Sequence, residues 1–433
     1  MQKLMPKRVE KTFQGSMHTI NNKTAAMLTL LFLILCLIPH AVSAKKAEKP
    51  SDRAVQHNNK GVTALYQGDI DRAIFEFKIA TELNPKYVEA LSNLGLAYKH
   101  KGRFDDAIVV LKRAISLDKK FPSTYNHLGI VYLKLKNHKE ALRQFGLALK
   151  YNNKYSDAHY NAGLVHVDLY KQDKNLDHLS DAAACFVKAT QINSDHPYAH
   201  MQLGMAYHRL GEYEKAIIRY KLALEIDPNL AEAWNNLAEL YTKTGQTLKA
   251  QQALNHSIVA NPDSSHAHLN MGLNYLKDDN ITMAINEFNK VIIDDPTNEL
   301  AYFNIGYSYY KLASMLSEKG SSAQSHEAYQ ESNRAYQSAV TLKPNYPEAT
   351  FNIGYNYQQL KNFSSAAEWY KKTITLDATF YRAYFVLGQM YQLTGKNSEA
   401  ANVYCEFVKR KPDEYKEDVE TAKGLIKSLG GCH

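Results

Sequence analysis

Seven asparagines occupy one place in a recurring pattern: Asn59, Asn93, Asn161, Asn236, Asn270, Asn304 and Asn352, with His127, Gln202 and Val386 in the same place elsewhere. An amide side chain carries a donor and an acceptor together, so a column of amides can pair with the main chain of an extended peptide regardless of its sequence. Seven residues further on runs a basic column: Lys134, Arg209, Lys243, Lys277 and Lys311. Cations there complement the negative end of a helix, and as a stripe they also favour an acidic ligand. Both columns suit recognition rather than bond-making. The chain has no glycine-rich phosphate loop, no His-Glu-x-x-His and no paired Cys-x-x-Cys, so the sequence predicts neither enzyme activity nor a metal, cofactor or small-molecule substrate. His57, His159, His200 and His268 stand where Trp234, Tyr125, Tyr302 and Tyr384 stand in other units. They are expected to be partly buried core rings, and acid should weaken the fold by forcing them to charge.

The elements that position these columns follow from one landmark. Gly61, Gly95, Gly129 and Gly163 are 34 residues apart; Gly204 follows after 41; Ala238, Gly272 and Gly306 return to 34; Gly354 follows after 48 and Gly388 after 34. A period this long marks stacked supersecondary units, none of which can bury its apolar face alone. In the unit at 197–230, Leu203 and Tyr207, then Ile217, Tyr220 and Leu224, recur at helical spacing, which predicts two helices with one apolar stripe each. Gly211 separates them as a left-handed cap, and Pro228 closes the second. Gly204, Ala216 and Ala223 are small where two helix backbones must approach.

With those residues in place, the pattern resembles the tetratricopeptide-repeat (TPR) family. Its Trp-x-x-Leu-Gly-x-x-Tyr, Ala, Phe, Ala and Pro landmarks are matched by Trp234, Leu237, Ala238, Tyr241, Ala250 and Pro262, and by Tyr125, Leu128, Gly129, Tyr132, Ala141, Phe145 and Ala148. The resemblance implies an all-α, right-handed superhelical solenoid whose first helices line a concave groove, with the asparagines pointing into it. That column is similar to the inner asparagine ladder of the O-linked N-acetylglucosamine transferases, which holds peptide backbone; their catalytic region has no counterpart here, so the likeness implies binding without transfer. The carboxylate clamp of some TPR modules needs an asparagine three places after the ladder, where this chain has Leu96, Ile130, Leu164 and Met205. A clamp of that kind is not expected.

Ten units are expected at 54–87, 88–121, 122–155, 156–196, 197–230, 231–264, 265–298, 299–346, 347–380 and 381–414, followed by a capping helix at 415–429 and a flexible tail at 430–433. The two long units should carry their extra residues as lengthened helices around 170–180 and 314–325. Residues 1–44 read as a secretory signal, basic and then apolar from Ala25 to Ile38, with Met17 an alternative start and 45–53 a linker. Five basic residues against Glu10 place half of the formal charge of +8 in that signal, and the mild remainder gives no case for nucleic acid. An exported protein is expected, periplasmic or secreted, touching membrane only if the signal stays uncleaved. Cys36 leaves with the signal, Cys185 and Cys405 should be packed thiols, and Cys432 should be free to link two copies through a disulfide. The expected function is a non-enzymatic scaffold holding an extended polypeptide. The alternatives are an envelope assembly subunit working through its outer face and insertions, and an accessory subunit of an envelope glycan-processing system.

Overall fold

The computed structural model describes residues 50–410 and 413–432. The expected signal, its alternative start, Cys36 and residues 45–49 of the linker lie outside the described residues. The chain divides into two compact units, one ending at Glu212 and the other starting at Tyr213.

The first unit contains α1 (Asp52–Tyr66), α2 (Ile70–Leu83), α3 (Val88–His100), α4 (Phe104–Leu117), α5 (Pro122–Lys134), α6 (His138–Tyr151), α7 (Ser156–Asp173), α8 (Leu176–Ile192) and α9 (Pro197–Arg209). The second contains α10 (Tyr213–Ile226), α11 (Ala231–Lys243), α12 (Thr247–Ala260), α13 (Ser265–Lys277), α14 (Ile281–Asp294), α15 (Glu299–Glu318), α16 (Ser322–Leu342), α17 (Pro347–Gln359), α18 (Phe363–Leu376), α19 (Tyr381–Leu393), α20 (Asn397–Lys409) and α21 (Lys416–Ser428). Among the described residues there is no strand, and no helix is long and apolar enough to cross a membrane. The chain is an all-α solenoid of stacked helical hairpins.

Three local devices build each hairpin. The turn from first to second helix holds one residue in the left-handed region; Gly211, at φ 80°, is there as expected, but Lys136, Lys174, Asp279 and Lys361 occupy it without glycine's freedom. Next, the landmark glycine accepts a large side chain from the second helix: Gly129 lies against Phe145, Gly272 against Phe288, and Gly388 against Tyr404. A Cβ on Gly272 would sit 2.5 Å from that Phe288 ring, so only glycine lets the two backbones come this close. Finally, an Asx turn leads into the next repeat, as where Asp118 Oδ1 accepts from Lys120 N–H and Asp377 Oδ1 from Thr379 N–H.

Successive first helices touch one another in both units, α1 with α3 and α5 with α7, α11 with α13 and α13 with α15, while second helices meet chiefly their own partner and the next first helix. The first helices therefore form the inner wall of each array. The insertions lengthen both helices of their hairpins: α7 and α8 reach 18 and 17 residues, α15 and α16 reach 20 and 21.

At the C-terminal end, α21 lays Ala422, Val419, Leu425 and Ile426 against Tyr404 and Phe407 of α20. Here the expectations of a packed thiol at Cys405 and a free one at Cys432 are corrected. Cys432 is bridged to Cys405 of the same chain, with Cα atoms 6.0 Å apart, so it does not link two copies. The capping helix covers the last repeat, as its apolar stripe predicts, and so returns the tail to α20. Cys185 is a free, part-buried thiol.

Candidate functional site

The asparagine column lies on the first helices, but much of it is turned between them. Asn93, Asn161, Asn236 and Asn304 are buried, Asn270 and Asn352 half-buried, and Asn59 exposed. The sequence missed their partners. Asn93 Nδ2 donates to Asn58 Oδ1 at 3.0 Å, Asn161 Nδ2 to Asn126 Oδ1 at 3.0 Å, and Asn270 Nδ2 to Asn235 Oδ1 at 2.9 Å. Each donor pairs with the amide one place earlier in the preceding repeat, a spacing of 35, so these amides tie adjacent first helices together. A signal for it was present: Asn58, Asn126 and Asn235 immediately precede column positions. Asn352 instead donates to the Tyr336 hydroxyl at 3.1 Å, and the Nδ2 of Asn236 is buried with no hydrogen-bond partner.

The basic column is equally engaged. Lys277 Nζ donates to Thr242 O at 3.2 Å, and Lys311 Nζ to Leu276 O at 3.3 Å and to Asp279 Oδ1 at 2.5 Å. Each thus caps the last carbonyls of the preceding first helix, the dipole role that its position suggested. Arg209 lies over the Tyr170 ring and Lys243 over Tyr213. Lys134 is exposed, and it faces a feature that the sequence did not reveal. Lys99, His100 and His127 gather beside it, with Lys99 Nζ 3.4 Å from His100 Nε2. Burial, helped by Lys134, lowers Lys99 to about 8. Burial also lowers His100 to about 3 and His127 to about 4, with Lys99 adding to both. Positive charge is crowded on this stretch of the wall.

The four column histidines divide. His200 and His268 are buried, His57 and His159 half-buried. Burial lowers His159, as expected. His268 goes the other way: its Nδ1 lies 2.6 Å from Glu287 Oε2, and that hydrogen bond raises its pKa. The rings most reluctant to charge lie outside that set, at His100, His127 and His196, the last held to about 4 by burial and by His200.

In the second unit the inner wall carries aromatic surface. Tyr307, Tyr310 and Tyr355 are half-buried, with Tyr307 and Tyr310 stacked at 6.1 Å and Tyr310 edge-on to Tyr355 at 5.6 Å. The half-buried Asn352 shares α17 with Tyr355, and the half-buried Asn270 and Leu273 lie on α13, the first helix before α15. The combination of amide, phenol, apolar and cationic groups suits non-covalent recognition. Away from the columns, the first lengthened hairpin brings His166, His178 and Asp181 together, residues that the sequence did not single out.

Comparison with known proteins gives one family throughout. Models described as TPR repeat match residues 64–102, 97–136 and 204–245, and models described as tetratricopeptide repeat match 123–158, 231–264, 317–379 and 381–414, together more than half of the chain. No curated protein matches by sequence. Among solved structures, the chain is similar to YrrB, described as a TPR protein with an unusual peptide-binding site, at 25% identity and a TM-score of 0.36 over 44% of this chain and 95% of that one. It is similar to MamA at 29% identity, with a TM-score of 0.32 and coverage of 40% and 96%. It also resembles PilF of Pseudomonas aeruginosa at 18% identity, with a TM-score of 0.44 and coverage of 50% and 95%.

Proposed function

The chain belongs to the tetratricopeptide-repeat family of protein-interaction scaffolds, and on that premise we propose that it captures an extended polypeptide along the inner wall of its second unit. The observation that carries this reading is the half-open state of Asn270, Leu273, Tyr307, Asn352 and Tyr355 on neighbouring first helices. Asn270 and Asn352 each donate their Nδ2 inward, which leaves the amide carbonyl as an acceptor for a peptide N–H. The tyrosines supply broad contact area at low entropic cost. Lys277 and Lys311 nearby bias the wall toward acidic segments. Scaffolds built of these repeats are generally non-catalytic, and recognition chemistry of this kind supports a binding role.

The test is site-specific photo-crosslinking in cell lysate, with the reactive side chain at Leu273 or Tyr355 on the inner wall and at Ile293 on the outer face. Capture of the same partner from both inner positions, reduced at least tenfold by Tyr307→Ala with Tyr310→Ala, is the expected result. Capture from Ile293 alone would overturn it. That outcome would favour the assembly-subunit reading, which has support of its own: Leu248, Val259 and Ile293 on α12 and α14 are 76%, 80% and 80% exposed.

Export remains part of the proposed reading. The Cys405–Cys432 bridge is of a type that persists in oxidising compartments, in keeping with a signal at 1–44. Thiol trapping in fractionated cells should find these two cysteines oxidised and outside the cytoplasm; reduced cysteines in the cytoplasmic fraction would contradict export.

A further inference from the structure

The fourth repeat is seven residues longer than the 34-residue template, and the extra length carries α7 and α8 beyond the level of their neighbours. His166 lies on α7 just before the part that exceeds the 13-residue template, at the place of Tyr207 in the next repeat. His178 and Asp181 lie at the start of α8, three apart and therefore on one face. A nitrogen of each ring and a carboxylate oxygen of Asp181 all fall within 4.8 Å of one another. His166 Nδ1 is 3.7 Å from Asp181 Oδ2, and the two rings are 6.2 Å apart.

Two imidazoles and one exposed aspartate on a surface hairpin are ordinarily a polar patch. Two observations separate this trio from such a patch. The Nδ1 atoms of His166 and His178 are both buried and neither has a hydrogen-bond partner, a cost that solvent-facing rings avoid. In addition, His178 Nε2 lies 3.2 Å from Asp173 Oδ2. A carboxylate in that place accepts the ring proton's hydrogen bond from Nε2 and leaves Nδ1 as the lone-pair nitrogen, the outer-shell arrangement common to metal-binding histidines. The neighbouring cations are occupied elsewhere: Lys136 and Lys171 at Asp168, and Lys174 over the Tyr170 ring.

We propose that His166, His178 and Asp181 bind one divalent transition cation of the zinc class, with Asp173 as the outer-shell carboxylate that orients His178. Two imidazole nitrogens and one carboxylate oxygen supply three of four tetrahedral ligands, and the fourth position, on the exposed Asp181 side, is open to water. Zn–N bonds of about 2.0–2.1 Å draw the trio closer than 4.8 Å, by rotation of the side chains. The cation then fastens α7 to α8 at the base of their outgrowth, where the added length begins.

The experiment uses the full untagged chain, stripped with chelator and titrated with Zn²⁺ at pH 7.5, with bound zinc measured by elemental analysis after dialysis. The expected result is that His166→Ala with His178→Ala binds one equivalent fewer than the unaltered chain. Asp181→Asn, a near-isosteric change at an exposed position, weakens that equivalent about tenfold or more, and Asp173→Asn weakens it by about 10–100-fold, the range for lost outer-shell partners. With Co²⁺ as probe, the unaltered chain gives the visible absorption of a tetrahedral site, and the double variant lacks it. If the double variant misfolds by circular dichroism, Asp181→Asn decides. A zinc equivalent that survives in the double variant or in folded Asp181→Asn at unchanged affinity would overturn the assignment, as would no zinc bound by the unaltered chain at 100 μM, a concentration about a hundredfold above a micromolar Kd.

Discussion

The two compact units run one template with different polar interiors. The first is joined by amides and neutral imidazoles: Asn58 with Asn93, Asn126 with Asn161, and His127 Nδ1 at 2.9 Å from Ser92 Oγ. The second places phenols in its core. Tyr336, Tyr370 and Tyr404 are fully buried, Tyr370 donates to Gln358 Oε1, and Tyr404 to Gln392 Oε1; a disulfide closes its end. The comparison teaches that the period fixes where a helix must be met, while the partner met there is free to be amide, imidazole or phenol. The imidazole and the phenol each bring a pH sensitivity of their own, and the amide brings none.

The largest expected effect is a split response to pH. His100, His127 and His196 have folded pKa values of about 3, 4 and 4, below the ordinary 6.5. The unfolded chain therefore binds more protons, and stability of the first unit should fall from pH 6.5 down to about 4, by on the order of 2 kcal/mol per fully buried ring at pH 5. His268 has the opposite sign: its bond to Glu287 is fully present below pH 6.5 and is lost as pH rises through its raised pKa. In alkali the second unit should be the weaker. Tyr307 and Tyr329 are raised by burial to about 12, and Tyr336, Tyr346, Tyr370 and Tyr404 are also raised. Phenols raised in this way lend stability that is fully present below pH 10 and is lost above it. Amide hydrogen exchange at pH 7.5, 5 and 10.5, corrected for intrinsic rates, reads the two units separately; equal loss of protection in both at pH 5 would break the comparison.

Next in size is removal of the bridge. Cys405→Ser with Cys432→Ser opens a loop spanning 27 positions, worth about 3 kcal/mol. Exchange should rise in α21 and α20, with the first unit unchanged; a fall in stability across both units would contradict a local role. Smaller again is a change at the shared template. Gly129→Ala and Gly272→Ala each press a Cβ onto a buried Phe ring, and each should cost roughly 1–3 kcal/mol in urea melts. Similar costs in the two units would sharpen the comparison, and a neutral result in either would contradict the close-approach account. The smallest effect is a gain. Lys136→Gly and Lys361→Gly remove non-glycine side chains at φ 59° and should stabilise by about 0.5–1 kcal/mol, less whatever the freer unfolded chain gives back. A lower melting temperature in both would show that the turn carries no strain.

How much of this was legible follows the same division. Gly272 and Phe288 are 16 residues apart in one hairpin, so their contact is a local consequence of helix, turn and helix, and the period displayed it. The asparagine column was legible as a column on the first helices. Its bonding was not, because Asn270 meets Asn235 only when two helices from different repeats settle at a fixed register, and no local propensity sets that. Cys432 was read as a free tail thiol because the apolar stripe of α21 announces a cap on the last repeat but not the register that brings the residues after it to Cys405. His166 and His178 were passed over for a related reason: they are 12 residues apart on different helices, and only the pairing of α7 with α8 joins them.

The most direct test of the scaffold account is hydrogen exchange of the full chain with and without the partner recovered by crosslinking. The account predicts slowed exchange in α13, α15 and α17, on the inner wall of the second unit, with α12 and α14 unchanged on its outer face. Protection confined to α12 and α14 would contradict it.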